Sequence, residues 1–384
     1  SGITPAGTIT SAATTVYANY TDATSGINAA SVSVSIDSVA LSGCTVAAGS
    51  VSCPASGLAQ GAHSISVSVA DNAGNTGTGT GSFTVDSMSP AVTGLAPTGL
   101  INGDVVIVSA NLADTGSGID SATAQVYMDS GIMSGCIADA TSISCPATVS
   151  QGAHSYTVSV KDMAGNTGSA SASFTVDSAA PSVSGILPTG IINSAATTVY
   201  ANYTDATSGI NTASVSVSVD TVALSGCTVA AGSVSCPASG LANGNHTIDV
   251  SVSDNAGNTG TGTGSFMVDT AAPAVTNLQP TGWLSSTSTT VSADYTDSGS
   301  GIDSATAQVY MDSGLLTGCT ATATSISCPV TGLAEGAHNY TVSVKNMAGN
   351  TGSASASFTV DTAGPAVSGI TPAGTITSAA TTVY

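Results

Sequence analysis

Eight cysteines occur as four pairs with one spacing, and they are the strongest indication of covalent chemistry in this sequence. The pairs are Cys44/Cys53, Cys136/Cys145, Cys227/Cys236 and Cys319/Cys328. Such a spacing suits a β-hairpin, in which a cross-strand pair brings two Cβ atoms within bonding distance. Zinc would require closer cysteine pairs and four ligands. The spacing therefore predicts four local disulfides and an oxidising, extracytoplasmic compartment.

Aspartates recur in motifs that could offer hard oxygen ligands to a cation. Asp71 begins an Asp-x-Ala-Gly-Asn motif, and Asp86 ends a Val-Asp pair. Together with Asp22, they could converge where two repeats join. Their carboxylate oxygens would form a ligand set that Ca²⁺ accepts. Asn346 replaces the motif aspartate in the last repeat and would weaken one site. The alternative is a structural Asx turn without metal. No other cofactor is indicated, and the candidate calcium ligands are Asp22, Asp71, Asp86, Asp162, Asp177, Asp254 and Asp269.

One histidine recurs at the same place in each repeat, at His63, His154, His246 and His338. No cysteine or serine nucleophile accompanies it together with a third, orienting group. We therefore expect a packing or hydrogen-bonding role for the histidines, no catalytic residues and a protein that is not an enzyme.

Four Asn-x-Thr sequons are candidate glycosylation sites, and one aromatic residue stands alone. The sequons lie at Asn19, Asn202, Asn245 and Asn339, on or beside predicted strands. Trp283, the single tryptophan, follows Pro280 closely, and we expect it to make a partly buried contact with the preceding repeat.

The charge balance excludes whole classes of partner. Lys161 and Lys345 are the only basic side chains apart from histidine, and the formal net charge is −20. Nucleic acid is excluded as a partner because its phosphates require a basic footprint, and an anionic bilayer surface would repel the chain. No apolar run approaches the roughly 20 residues of a bilayer span, so no membrane insertion is expected within this segment.

Apolar and polar residues alternate with a period of two, which predicts half-buried strands. The alternation is clear at residues 14–21, 30–36, 64–70 and 81–85. With a strand before Pro5 and the two arms of the cysteine hairpin, each repeat has about seven strands. The fold class is therefore all-β, with tandem immunoglobulin-like sandwiches. Short joints that contain proline predict an extended, stiff rod.

A set of motifs also carries a family resemblance that covers the whole chain. The first repeat contains Asp22-x-x-Ser-Gly-Ile, Leu58-x-x-Gly-x-His63, Asp71-x-Ala-Gly-Asn and Phe83-x-Val-Asp86-x-x-x-Pro90. This pattern resembles the bacterial immunoglobulin-like (Big-type) tandem repeats of large prokaryotic surface proteins. The resemblance implies spacers, stalks or fibre-forming units, in which calcium sometimes rigidifies the joints.

Recurring prolines define the repeat register of the sequence, and this register gives the module boundaries. Pro5, Pro97, Pro188, Pro280 and Pro372 recur with a period near 92 residues, the size of one domain. The predicted modules alternate between two types: module 1, 1–89, type A with a truncated first strand; module 2, 90–180, type B; module 3, 181–272, type A; module 4, 273–364, type B; and 365–384, the incomplete start of a fifth.

The last seventeen residues, 368–384, repeat residues 1–17 letter for letter. Either the array continues in a longer chain, which we favour, or the C-terminal segment adds as a strand to a neighbouring subunit in a filament. The function expected is an extracellular, cell-surface structural protein, namely a fibre, filament or stalk. The alternative is an adhesin that binds a glycan or a partner cell through module loops.

Overall fold

The computed structural model describes residues 2–370, 374, 375, 377 and 379, and β-strands are the main regular secondary structure of these residues. One 3-10 helix, Ala29–Ser31, interrupts the strands. Within the described part of the chain, no helix is long and apolar enough to cross a membrane. The prediction of an all-β fold is confirmed.

The chain divides into two compact units. The first contains Ser1–Ala180 together with two short segments, Asp205–Gly209 and Asp254–Asn258. The second contains Pro181–Thr204, Ile210–Ser253 and Thr259–Tyr384. We retain the predicted module numbers as names for the repeats.

Module 1 has a five-stranded sheet, in the order β1-β8-β7-β3-β4, and a three-stranded sheet, β2-β6-β5. Its strands are β1 Gly7–Ile9, β2 Thr14–Asn19, β3 Ser33–Ile36, β4 Val39–Ala40, β5 Thr45–Ala47, β6 Ser50–Ala55, β7 Gly61–Ala70 and β8 Thr76–Val85.

Modules 2, 3 and 4 each have a five-stranded and a four-stranded sheet. The strands of module 2 are β9 Ala91–Ala96, β10 Gly99–Ile101, β11 Val105–Ala113, β12 Ile119–Met128, β13 Gly131–Ile132, β14 Ile137–Ala138, β15 Ser142–Thr148, β16 Gly152–Asp162 and β17 Thr167–Val176. Those of module 3 are β18 Ser182–Leu187, β19 Gly190–Ile192, β20 Ala196–Thr204, β21 Ile210–Val219, β22 Val222–Ala223, β23 Thr228–Val229, β24 Ser233–Ser239, β25 Gly244–Asp254 and β26 Thr259–Val268. Those of module 4 are β27 Ala274–Gln279, β28 Gly282–Leu284, β29 Thr289–Thr296, β30 Ile302–Met311, β31 Gly314–Leu315, β32 Thr320–Ala321, β33 Ser325–Val330, β34 Gly336–Asn346 and β35 Thr351–Val360.

The first strand of a module is divided between the two sheets at the recurring proline. In module 2, β9 pairs antiparallel with β11 in one sheet, and β10, after Pro97, pairs parallel with β17 in the other. Proline lacks the backbone donor that a continuous ladder requires, so the strand changes sheet there. This division and a pair of two-residue strands give nine strand segments in module 2 rather than about seven.

Each module has its own core between its two sheets. Alternate residues of the central strands point inward, as the period-two pattern predicts, and Phe174 and Val158 of module 2 are 3% and 0% exposed. Full burial of one such side chain contributes about 1.5–3 kcal/mol. The other three modules have equivalent clusters.

The predicted fifth module stays a prediction. Residues 365–370 have no regular secondary structure and are exposed. Apart from 374, 375, 377 and 379, the remainder of the segment lies outside the described residues.

Candidate functional site

Every predicted cysteine pair is joined by a disulfide. The bonds are Cys44–Cys53, Cys136–Cys145, Cys227–Cys236 and Cys319–Cys328, with Cα–Cα distances of 4.1–4.2 Å. In module 1, Cys44 directly precedes the edge strand β5, whereas Cys53 lies on β6 and is completely buried. Each bond therefore ties an outer hairpin arm to a strand that packs on the core.

Each recurring histidine has a hydrogen-bond acceptor at both ring nitrogens. In module 1, His63 Nδ1 lies 2.6 Å from Asp37 Oδ2, and Nε2 lies 2.8 Å from the carbonyl oxygen of Ala59. The ring also stacks on Phe83, with centroids 5.2 Å apart. Only the doubly protonated ring donates from both nitrogens. The other modules repeat this arrangement, with His154 on Asp129 and Ser150, His246 on Asp220 and Ala242, and His338 on Asp312 and Ala334.

These histidines predict a pH-dependent stability. The hydrogen bonds to Ala59 and Asp37 raise the pKa of His63, and the pKa values of His154, His246 and His338 are also raised. A group with a raised folded pKa stabilises fully below its unfolded value, about 6.5 for histidine, and this stability is lost as pH rises through the folded pKa.

We therefore expect the melting temperature to fall as pH rises from the unfolded histidine pKa, about 6.5, through the raised folded values. Calorimetry would measure it, and titration of the four histidine resonances by NMR would locate each pKa. His246→Gln should remove this dependence from module 3 alone. Melting temperatures that stay constant over the range would contradict the assignment.

The predicted aspartate turns do form in module 1. Asp71 Oδ1 accepts hydrogen bonds from the backbone nitrogens of Ala73 and Asn75, at 2.8 and 2.9 Å. Asp22 Oδ2 accepts from the backbone nitrogens of Ser25 and Gly26, both at 2.7 Å. The Asx-turn explanation accounts for these contacts within one module.

A different aspartate connects module 1 to module 2. Asp86 directly follows β8 and is completely buried. The backbone nitrogen of Ser117 donates to Asp86 Oδ2 at 2.6 Å, and Asn166 Nδ2 donates to the Asp86 carbonyl oxygen at 2.9 Å. Carboxylate oxygens of Asp86, Asp114 and Asp162 lie within 4.8 Å of one another. We call these three residues the first acidic joint.

The same arrangement recurs with Asp177, Asp205 and Asp254, the second acidic joint, whose residues all belong to the first compact unit. Ser208 N donates to Asp177 Oδ2 at 2.9 Å, and Asn258 Nδ2 donates to the Asp177 carbonyl oxygen at 2.7 Å. The hydrogen bonds that hold the aspartate are therefore repeated from one joint to the next.

The third joint, formed by Asp269, Asp297 and Asn346, has an amide in place of one carboxylate. Asn346 Nδ2 donates to Asp269 Oδ2 at 2.9 Å, to Asp297 Oδ1 at 3.2 Å and to the carbonyl oxygen of Ala271 at 2.8 Å. A single amide nitrogen thus contacts both carboxylates. This joint compensates its negative charge with hydrogen-bond donors of the chain itself.

Electrostatics favours a cation at the first two joints. Burial raises the pKa of Asp86, but hydrogen bonds from Ser117 and Met88 outweigh it, so the pKa lies below its ordinary value and the group is ionised at neutral pH. The ion pairs among the described residues are the four His–Asp pairs, which lie elsewhere. Three neighbouring carboxylates repel one another unless a cation joins them, and Ca²⁺ prefers such oxygen ligands.

Comparison with known families gives one assignment for the whole chain. The bacterial Ig-like domain family matches four times in tandem, at residues 1–87, 90–178, 184–270 and 272–362. The chain belongs to this family. The resemblance inferred from the motifs is confirmed, and the repeats are bacterial Ig-like modules, each with one disulfide.

Solved structures of tandem modules are similar to this chain at low identity. An I-band fragment of titin, I67–I69, is 13% identical and covers 71% of this chain and 99% of its own, with a TM-score of 0.49. A Ca²⁺-stabilised adhesin with which an Antarctic bacterium binds ice is 23% identical, with coverages of 92% and 95% and a TM-score of 0.31. A tetra-tandem repeat from the extending region of a large adhesion protein is 20% identical, with coverages of 91% and 95% and a TM-score of 0.38. No curated protein matches the sequence.

The acidic joints contain residues that sequence reasoning missed. Asp86 meets Asp114 and Asp162 of the next bacterial Ig-like module, whereas Asp22 and Asp71, expected beside it, belong to its own module. The physical reason is that Asp86 follows the last strand, where the chain enters the next module. Asp114, Asp205 and Asp297 begin the Asp-x-x-Ser-Gly-Ile motif first seen at Asp22, so that repetition was the signal available.

The remaining candidates lie on the surface of their modules. Asn19, Asn245 and Asn339 are exposed and Asn202 is half-buried, so glycosylation stays a prediction at all four. The expected burial of Trp283 is wrong: its side chain is 76% exposed, on the short strand β28 that pairs in parallel with β35 at the sheet edge.

Proposed function

We propose that this chain is a non-catalytic structural array, a segment of an extracellular fibre, filament or stalk. Each bacterial Ig-like module is stapled by its disulfide, and calcium locks the first and second acidic joints. The disulfides support the extracellular location, because such bonds persist in oxidising compartments.

The observation that carries this proposal is the repeated use of a buried aspartate as a connector between modules. Asp86, Asp177 and Asp269 are 0% exposed, and each accepts a hydrogen bond from the backbone of a following Ser-Gly turn. A linker without contacts to the next module would leave such an aspartate exposed to solvent. A defined joint that recurs along the chain supports a role in setting the spacing and direction of modules.

Removal of calcium tests the joints directly. A ligand that binds only the folded state stabilises by about 2.7 kcal/mol at 100 times its Kd. We expect calorimetry to show a lower melting temperature in chelator, and titration calorimetry to give two calcium ions per chain. An unchanged melting temperature in chelator would contradict calcium locking.

Imaging of the native material tests the structural role itself. Continuous fibres with an axial period set by the modules are the expected result. Isolated stalks that end in a distinct head, together with binding of glycans or partner cells, would instead favour the adhesin alternative.

A further inference from the structure

Gln151 places an amide donor on the connecting aspartate of the second acidic joint. Its Nε2 donates to Asp177 Oδ1 at 2.6 Å and to Thr207 Oγ1 at 3.2 Å. Its Oε1 accepts from the backbone nitrogen of Ser178 at 2.9 Å. Because a backbone nitrogen can only donate, this contact fixes the orientation of the amide, and Nε2 must face Asp177. All four residues belong to the first compact unit.

The equivalent residue at the first joint, Gln60, uses its amide differently. Gln60 Nε2 donates to Ser87 Oγ, and Gln60 Oε1 accepts from the backbone nitrogen of Ser87 at 3.1 Å. The donors to the Asp86 carboxylate are the backbone nitrogen of Met88 and the turn residue Ser117. Over the described part of the chain, the glutamine amide therefore reaches the connecting aspartate at the second joint and not at the first.

One position in the Ser-Gly turn distinguishes the two kinds of joint. Thr207 stands where the first and third joints have Gly116 and Gly299. A Cβ atom added to either glycine would collide with the connecting carboxylate, of Asp86 or of Asp269, so these carboxylates pack directly on the glycine. At the second joint, a β-branched side chain takes this place, and its hydroxyl accepts from the amide. The two A-to-B joints therefore share one construction, and the B-to-A joint has another.

The additional hydrogen bond at the second joint uses a lone pair that a cation would need. An ionised carboxylate offers about four lone-pair positions. Asp86 and Asp177 share their other donors, namely the backbone nitrogen two residues later and the serine of the following Ser-Gly turn. Gln151 occupies one more position on Asp177. A cation that binds Asp177 therefore competes with the amide, whereas Asp86 offers one more position to a cation.

We propose that Gln151 and Thr207 form a latch that closes the second joint without a cation and makes this joint bind calcium more weakly than the first. The calcium half of this inference rests on the proposed function, whereas the latch itself depends only on hydrogen bonds of the chain. The alternation of A and B modules thereby alternates two kinds of joint. As free calcium falls, the first joint loosens before the second.

Gln151→Asn tests the latch because it shortens the side chain by one methylene group. Asn243 holds this position in module 3 and accepts from the backbone in the same way. The variant should therefore keep its backbone hydrogen bond and lose the contact with Asp177. Gln60→Asn is the matched control, since Gln60 contacts Ser87 rather than the connecting aspartate. Both glutamines are exposed, so neither change disturbs a core.

Hydrogen exchange of the full chain reports each joint directly, because the backbone amides of Ser117 and Ser208 donate to the two connecting aspartates. In wild type, Ser117 should become protected at about tenfold lower free calcium than Ser208, since calcium must displace one hydrogen bond to a charged group at the second joint. Gln151→Asn should bring the two midpoints together. In chelator, it should accelerate exchange at Ser208 and leave Ser117 unchanged. Gln60→Asn should match wild type in both measurements.

The two halves of the proposal can fail separately. Exchange at Ser208 in chelator that is the same for Gln151→Asn and wild type would overturn the latch. Equal calcium midpoints for Ser117 and Ser208 in wild type would overturn its effect on the cation. If calcium protects neither amide in any variant, the proposed calcium joints are wrong, and the measurement in chelator still decides whether the latch exists.

Discussion

Replacing Cys227 and Cys236 together by alanine is expected to lower the free energy of unfolding of module 3 by about 2.7 kcal/mol. The bond closes a loop of ten residues, and in the chain-entropy relation its loss enlarges the unfolded ensemble by that amount. The alanine pair also leaves a smaller side chain at Cys236, which is completely buried. Both effects act in the same direction, so the estimate is a lower bound for an unstrained bond.

The measurement must be specific to one module, because a chain with several domains does not unfold in a single transition. Hydrogen exchange followed by mass spectrometry in urea gives a midpoint for peptides of each module. With an m-value of about 1–3 kcal/mol/M, module 3 should lose roughly 1–3 M in midpoint. Modules 1, 2 and 4 keep their disulfides and serve as controls within the same molecule. An equal shift in all four modules, or none in module 3, would contradict the prediction that the disulfide stabilises its own module.

The architecture followed from local sequence patterns because its determinants are local. Alternation at residues 64–70 predicted what became part of β7, and the spacing of Cys44 and Cys53 predicted a hairpin pair. Where the prediction departed from the structure, a local side-chain hydrogen bond accompanies the departure. Ala29–Ser31 forms a 3-10 turn, with Asn28 Oδ1 accepting from Ala30 N at 3.1 Å, although the alternation extended the strand to Ala30.

The acidic joints could not be assembled from the sequence alone because they join residues from different modules. Asp86 and Asp162 are 76 positions apart in the chain, and no period-two pattern relates them. Their proximity depends on how one module is placed on the next, which periodicity does not report. The role of the recurring histidines was easier to predict, since one residue at one place in four repeats already indicated a role in packing or hydrogen bonding.

Asn346→Asp is expected to have the second large effect on stability, and the direction of this effect depends on whether calcium is present. In chelator, the variant loses the hydrogen bonds from Nδ2 to Asp269, Asp297 and Ala271, and it adds a buried carboxylate beside two others. An uncompensated buried charge costs about 3–5 kcal/mol. In calcium, the third joint then has the three carboxylates of the first, so stability should recover and the chain should bind three calcium ions instead of two.

The reciprocal variant, Asp162→Asn, should remove one calcium ion from the first joint. The stability of that joint should then be the same with and without chelator. The reason is that the new amide can bridge Asp86 and Asp114 as Asn346 bridges its neighbours. Asn245→Asp and Asp104→Asn change charge by the same amounts at exposed positions and are the controls. Titration calorimetry counts the ions, and hydrogen exchange of modules 2 and 4 localises the change in stability. If both variants bind as many calcium ions as the wild type, the amide of Asn346 does not take the place of a cation at these joints.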